Sequence, residues 1–282
     1  MVSIIVLLLG ILLPTLGRAR EQARTTVCLA NLHQIGVAET AYLTEYESYL
    51  LAGYANPAVV FSNGYNADVE NYATLLVNGG FLTAPLVQPA SSSAADLGVA
   101  PVAKGASVFR CPSGAVDRIA MCFSDPVLSL SPDPAPASRT DPISAYPWRS
   151  RSLTTGIVVD TWYAINAVMF DFDFNGSPAR RIPDQNSGSQ VVLKLSQLRN
   201  PSITVYLADG IFTHFFFAPD RIAARHAGGT KTNITFYDGS ARTVDTVAVP
   251  GGLGPSGTGS PAAAFSLANL QNYSDILFRY DQ

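Results

Sequence analysis

Residues 1–50 read MVSIIVLLLGILLPTLGRAREQARTTVCLANLHQIGVAETAYLTEYESYL. Up to Leu16 no side chain is charged and only Ser3 and Thr15 are polar, while the remainder is amphipathic. A secretory signal has a positive first region, a short apolar core and a small-residue cleavage site. Here no positive residue precedes the apolar run, and Pro14-Thr15-Leu16-Gly17-Arg18-Ala19 is a poor cleavage site. A plain transmembrane helix needs about 20 apolar residues to cross about 30 Å of hydrocarbon, several more than this run supplies. Past Gly17 the helical pattern continues. Cys28, Leu32, Ile35, Ala38, Tyr42, Tyr46 and Tyr49 recur at spacings of three and four, one apolar stripe with Arg24, Asn31, Gln34 and Glu45 mostly off it. At about 1.5 Å per residue, Val2 to Tyr49 makes a rod of roughly 70 Å. Its first third, residues 1–17, suits lipid or a helix bundle, and its last third suits a globular head. Pro14 removes one backbone donor and is expected to kink or loosen the rod.

The bulk numbers exclude some functions and permit others. A chain of 282 residues, 48% hydrophobic, can bury a sizeable core. A net charge of −3 from 18 basic and 21 acidic residues argues against nucleic acid as a partner, which needs a basic face. Only Arg18, Arg20 and Arg24 cluster, with Glu21 among them. The low charged content, 14%, with 22 Gly and 19 Pro, suits a loop-rich extracytoplasmic surface.

Beyond the rod, residues 51–282 read as a β-rich head. Asn71–Val77 predicts a short helix stopped by Gly79-Gly80, since glycine supplies a left-handed cap. Residues 85–107 and 124–147, dominated by Ala, Ser, Pro and Asp, read as long loop insertions. Strands are predicted at Gly156–Val159, Trp162–Phe174, Gln190–Leu195 and Ile203–Ala208. NITFYDGSARTV (233–244) is two alternating runs about Asp238-Gly239, the signature of a hairpin with a two-residue turn. Gly251–Ser260 reads as a flexible loop, and Ala263–Tyr280 as a short helix or closing strand.

The opening stretch, together with ENYATLLVNGGFLTAPLV (70–87), VFRCPSG (108–114), DTWYAIN (160–166), RNPSITVYLADG (199–210) and RHAGGTKTNITFYDGSARTV (225–244), resembles type IV prepilins and type II secretion pseudopilins. The likeness is strongest to a pseudopilin-G-like group ending in a His…Asp-Gly segment. It implies an α+β, pilin-like fold: a long amino-terminal helix packed on an antiparallel sheet head. It also implies a structural subunit, not an enzyme, anchored in the bacterial inner membrane and assembling with itself or related subunits into a periplasmic or extracellular filament or pseudopilus. Such proteins carry a basic leader, a glycine cleavage site, an aromatic first mature residue and a nearby glutamate, so Met1 is expected roughly eight residues into the mature helix. Ile5, Leu9, Leu13 and Pro14 would form the assembly helix. Cys28 and Cys111 stand where the group commonly has cysteine, and a disulfide between them would staple the head to the rod in an oxidising periplasm. A local Cys111–Cys122 pair, or three free buried thiols, remain alternatives.

Two further constellations invite chemistry. His226 with Asp209 suggests an anchored hydrolase, yet no G-x-S-x-G elbow or other nucleophile motif accompanies them. Asp238 and Gly239 are explained as turn residues, and three histidines lack zinc-ligand spacing, so His226 reads as structural, hydrogen-bonding a loop carbonyl. Asp171, Asp173, Asn175 and Gly176 match the first half of a calcium loop, with Asp184 a further oxygen ligand, but Ile182 stands where the bidentate glutamate belongs. An alternating strand with its phenylalanines inward accounts for the same residues. No other cofactor is implied. A membrane-anchored extracytoplasmic binding module, recognising glycan or an envelope protein through its loops, is the rival reading.

Overall fold

The structure, a computed structural model, describes residues 2–51, 71–85, 105–114, 147–152, 155–166, 194–210, 222–249 and 275–277. Helix α1 (Val2–Glu45) runs 44 residues, about 66 Å at 1.5 Å per residue. Pro14 lies inside it and does not end it. The residue whose carbonyl faces the proline ring is Gly10, which carries no side chain and stands in open space. One turn of the predicted rod is absent at the other end. The chain reverses at Tyr46–Ser48, where Glu47 and Ser48 take left-handed φ of 53° and 65° and the Ser48 amide donates to the Leu43 carbonyl at 2.7 Å. Tyr46, assigned above to the buried stripe, is exposed and stacks on Tyr42 with ring centroids 4.4 Å apart.

Helix α2 (Tyr72–Asn78) starts at a reciprocal cap. The Asn71 side chain accepts from the Ala73 and Thr74 amides, and Thr74 Oγ1 accepts from the Asn71 amide at 3.0 Å. Gly79 stays right-handed at φ −73°, so the left-handed residue that ends the helix is Gly80, at φ 75°.

Four antiparallel strands, β3 (Tyr163–Ile165), β4 (Val205–Asp209), β5 (Lys231–Phe236) and β6 (Ala241–Asp245), pair in that order; β1 (Trp148–Arg151) and β2 (Val158–Thr161) make a separate antiparallel pair. The sequence does not announce β1, whose WRSR run lacks apolar alternation. Its Arg149 is buried against Asp160 of β2 through two hydrogen bonds of 2.7 and 2.8 Å. No strand forms at Lys194–Leu195, the described part of Gln190–Leu195; Lys194 makes one bridge to Tyr49, and Leu195–Gln197 is a 3-10 turn. Of the strand expected from Trp162 to Phe174, Tyr163–Ile165 is present and residues past Asn166 lie outside the described ones. So do Gly251–Ser260 and nearly all of the two insertions.

The β5–β6 hairpin forms, with Lys231 opposite Asp245 and Thr235 opposite Ala241, but its turn differs by one residue. The Gly239 amide donates to the Phe236 carbonyl at 2.9 Å, which makes Tyr237 and Asp238 the central residues. Gly239 follows in the left-handed region at φ 81°. A two-residue primed turn about Asp238-Gly239 needs positive φ at its first centre, and Asp238 does not have it. Asp238 Oδ1 accepts from the Ser240 amide at 2.8 Å instead.

The sheet carries a core on each face. Cys28, Leu32 and Ile35 of α1 join Tyr72, Leu76, Phe109, Trp162, Tyr163 and Leu207 in the larger one. Ile234 and Phe236 point to the other face, with Val205, Ala208, Ile222, Val249 and Ile276. Strand β5 thus meets α1 with its polar side: Asn233 Nδ2 donates to the Thr25 carbonyl at 3.2 Å, and Gly36 lies so close that a Cβ there would stand 3.3 Å from Thr235 Cγ2 and 3.6 Å from Gly239 Cα. The layout, a long amino-terminal helix on antiparallel sheets, is the α+β, pilin-like one that the sequence predicts.

Candidate functional site

Two features of α1 stand out, one on each side of Glu21. Ahead of it, Ile4, Ile5, Val6, Leu7, Leu8 and Leu9 are six consecutive apolar residues, all between 49% and 67% exposed. At about 100° per residue they point in every direction around the helix. Ile11, Leu12, Leu13 and Leu16 are equally bare, so Leu9 and Leu13 sit on an exposed apolar cylinder. The charge-free run alone is shorter than a span, but counted with the turns that follow it the helix is long and apolar enough to span a membrane.

Beyond Glu21 the helix enters the head through a buried polar cluster. Cys28 of α1 is disulfide-bonded to Cys111, with Cα atoms 5.1 Å apart, and Asn31 Nδ2 donates to the neighbouring Arg110 carbonyl at 2.8 Å. Asn31, read above as lying off the packed stripe, is half-buried for that reason. The Cys111 loop is held close by Gly114, where a Cβ would come within 2.1 Å of Trp162 Cδ1. Against the disulfide stand Asp209, at the end of β4, and His226, just before β5. His226 Nε2 is 3.0 Å from Asp209 Oδ2 and 3.8 Å from Cys111 Sγ, and its Nδ1 is 3.9 Å from Glu21 Oε1. All four of these cysteine, aspartate and histidine side chains are fully buried, and their potential ligand atoms lie within 4.8 Å of one another.

Asp209 is fixed from two sides. Its Oδ2 accepts from the Asn233 amide at 2.8 Å, and its Oδ1 faces Arg225 Nη1 at 3.6 Å. Arg225 Nη1 also donates to the Trp162 carbonyl. Burial lowers the Arg225 guanidinium from its ordinary value while the Asp209 carboxylate opposes the shift, and the group remains a cation. Burial and then the Asp209 charge push the Tyr163 phenol up, so it stays protonated.

The side-chain partner of His226 is therefore a carboxylate, not the loop carbonyl expected from sequence; its own main-chain carbonyl receives the Gly229, Thr230 and Lys231 amides. The hydrolase reading correctly pairs His226 with Asp209. However, the same imidazole nitrogen faces both Asp209 and Cys111, whereas a nucleophile–base–carboxylate relay needs one ring nitrogen for each partner. Asp238 and Gly239 lie at the tip of the hairpin, under Gly36, away from that nitrogen's contacts.

Arg225 and Glu21 were not singled out from sequence. Glu21 was legible, since it precedes Cys28 by two helical turns on the same face. A third missed group is Glu39, buried on α1 in the larger core, where desolvation drives its carboxyl well above the ordinary range against hydrogen bonding to Tyr206 and Leu51. Asp171, Asp173, Asn175 and Asp184, and also Cys122, lie outside the described residues. No protein family matches the chain, and neither a curated protein nor a solved structure is significantly similar to it.

Proposed function

We propose that the chain is a pilin-like structural subunit, anchored by α1 in the bacterial inner membrane and assembling through it into a filament or secretion pseudopilus. The observation that carries this reading is the bare apolar cylinder from Ile4 to Leu16. Fully burying one such side chain is worth about 1.5–3 kcal/mol, so ten of them left in water would be untenable. Lipid and a bundle of like helices both cover the cylinder, and transfer between the two can accompany assembly. The sequence resemblance points the same way, and the role needs no catalysis.

Leu9→Ala separates assembly from anchoring. Membrane insertion tolerates the change, whereas a dense subunit core loses about 2–5 kcal/mol at such a truncation. Filament yield from cells expressing the variant should fall while membrane-bound monomer persists. Normal filament yield from the variant would refute the assembly role of Leu9. A chain that never polymerises and whose loops bind an envelope ligand would favour the binding module.

A further inference from the structure

We propose that, with its disulfide reduced, this chain holds a zinc ion between Cys28 Sγ, Cys111 Sγ, His226 Nε2 and an Asp209 carboxylate oxygen. The inference stands independently of the assembly reading. Four side chains from α1, the Cys111 loop, β4 and the segment before β5 converge, fully buried, with their ligand atoms within 4.8 Å of one another. Zinc bonds of about 2.0–2.3 Å at tetrahedral angles give ligand-to-ligand edges of about 3.3–3.8 Å. The His226–Asp209 edge is 3.0 Å and the Cys111–His226 edge 3.8 Å, so each reaches that range with a shift of a few tenths of an ångström.

The surroundings are those of a metal centre more than of a plain disulfide. A disulfide is apolar and calls for neither a carboxylate nor an imidazole beside it, and both are costly to bury. His226 Nδ1 and Asp209 Oδ1 are buried without a hydrogen-bond partner. The first faces the Glu21 carboxylate at 3.9 Å, the placement of the outer acceptor that orients a metal-bound histidine. Two thiolates, the Asp209 carboxylate and a divalent cation sum to −1, which the Arg225 guanidinium at 3.6 Å from Asp209 neutralises. Soft sulfur with nitrogen and one oxygen selects zinc over calcium or magnesium.

The redox step balances with a dithiol as reductant. Two electrons and two protons pass to the Cys28–Cys111 bond, the dithiol closes to its own disulfide, and zinc then displaces both thiol protons into solvent. Oxidation by a protein disulfide of the thiol-oxidase class reverses this and releases the ion. In the reduced chain the metal would hold α1 on the head where the covalent link otherwise does.

The test uses the full chain in detergent micelles, reduced with dithiothreitol, freed of reductant under anaerobic conditions and titrated with Co²⁺ alone, then Zn²⁺. The expected result is one Co²⁺ per reduced chain, bound with release of two protons near pH 7 and with thiolate-to-metal charge-transfer bands and tetrahedral visible bands that vanish when Zn²⁺ displaces the cobalt. The oxidised chain should show none of these. Asp209→Asn should weaken binding at least tenfold, and Glu21→Gln, on the partly exposed rim, about 10–100-fold. Reduced chain that binds cobalt no better than oxidised chain would overturn the proposal. So would bands that survive in Cys28→Ser, since Cys122 or another site would then be the ligand.

Discussion

Replacing both Cys28 and Cys111 with alanine should cost the head a large part of its stability, and the size follows from the spacing of the pair. The bond closes a loop of 83 residues. In the chain-entropy description the denatured state regains about 15 cal/mol/K when that loop is opened, or about 4.5 kcal/mol at 25 °C. Both sulfur atoms are also fully buried, and removing them adds a packing loss of up to about 1 kcal/mol each. Domains of this kind hold about 5–15 kcal/mol in total, so the variant would sit near its unfolding threshold. Either single alanine variant should lose nearly as much as the pair, because either one opens the loop. The assay is urea unfolding of the full chain in mild detergent with a chelator present, followed by the fluorescence of Trp148 and Trp162, both buried in the head. Parent protein unfolded in dithiothreitol should match the double variant. A double variant within about 1 kcal/mol of the oxidised parent would refute the reasoning, since the denatured chain would then already hold α1 beside the Cys111 loop.

Three further outcomes are expected. Glu39 is held neutral by burial, with a carboxyl well above its ordinary 4.5, so the folded state binds the extra proton and stability falls as pH rises above that value. The slope approaches about 1.4 kcal/mol per pH unit until the folded value is passed, and Glu39→Gln should remove it; parallel pH profiles of parent and variant would contradict the assignment. Arg149→Met leaves Asp160 buried against a lost guanidinium and should cost about 3–5 kcal/mol, more than Arg149→Met combined with Asp160→Asn, measured as a double-mutant cycle. Gly114→Ala drives a methyl into the Trp162 indole and should lose about 1–3 kcal/mol with a change in tryptophan emission; an unaltered emission spectrum would disprove the contact.

Much of the architecture was legible because it rests on periodicity and turn chemistry. The helical stripe through Cys28, Leu32 and Ile35, the short helix stopped at Gly79-Gly80 and the β5–β6 hairpin are local signals that tertiary packing did not override. Other features depend on partners far along the chain. Tyr46 belongs to the stripe by spacing, yet the helix stops before it at Glu45, and its ring lies on Tyr42 instead. Strand β1 exists because Arg149 finds Asp160, a pairing that hydrophobic alternation does not encode. Alternation in NITFY marks two faces but not which one meets α1; close approach at Gly36 favours Asn233 and Thr235, and the apolar side goes to the second core. The polar cluster was the least legible. Its four residues, Cys28, Cys111, Asp209 and His226, are spread over almost two hundred positions of sequence with none of the short spacings that identify metal sites.

The disulfide also decides where mechanical tension enters the head. A pull along α1 reaches Cys28 and crosses directly to Cys111, so the span between them, α2 included, lies in a closed covalent ring and not in series with the load. About 290 Å of contour length is thereby withheld from extension, at roughly 3.5 Å per residue. Force passes instead to the strands that follow Cys111, where β4 and β5 are cross-linked by a ladder and by the Asp209–Asn233 contact. A chain drawn along this helix would accordingly yield by peeling strands after Cys111, and the contacts between α1 and α2 would keep their native geometry under load.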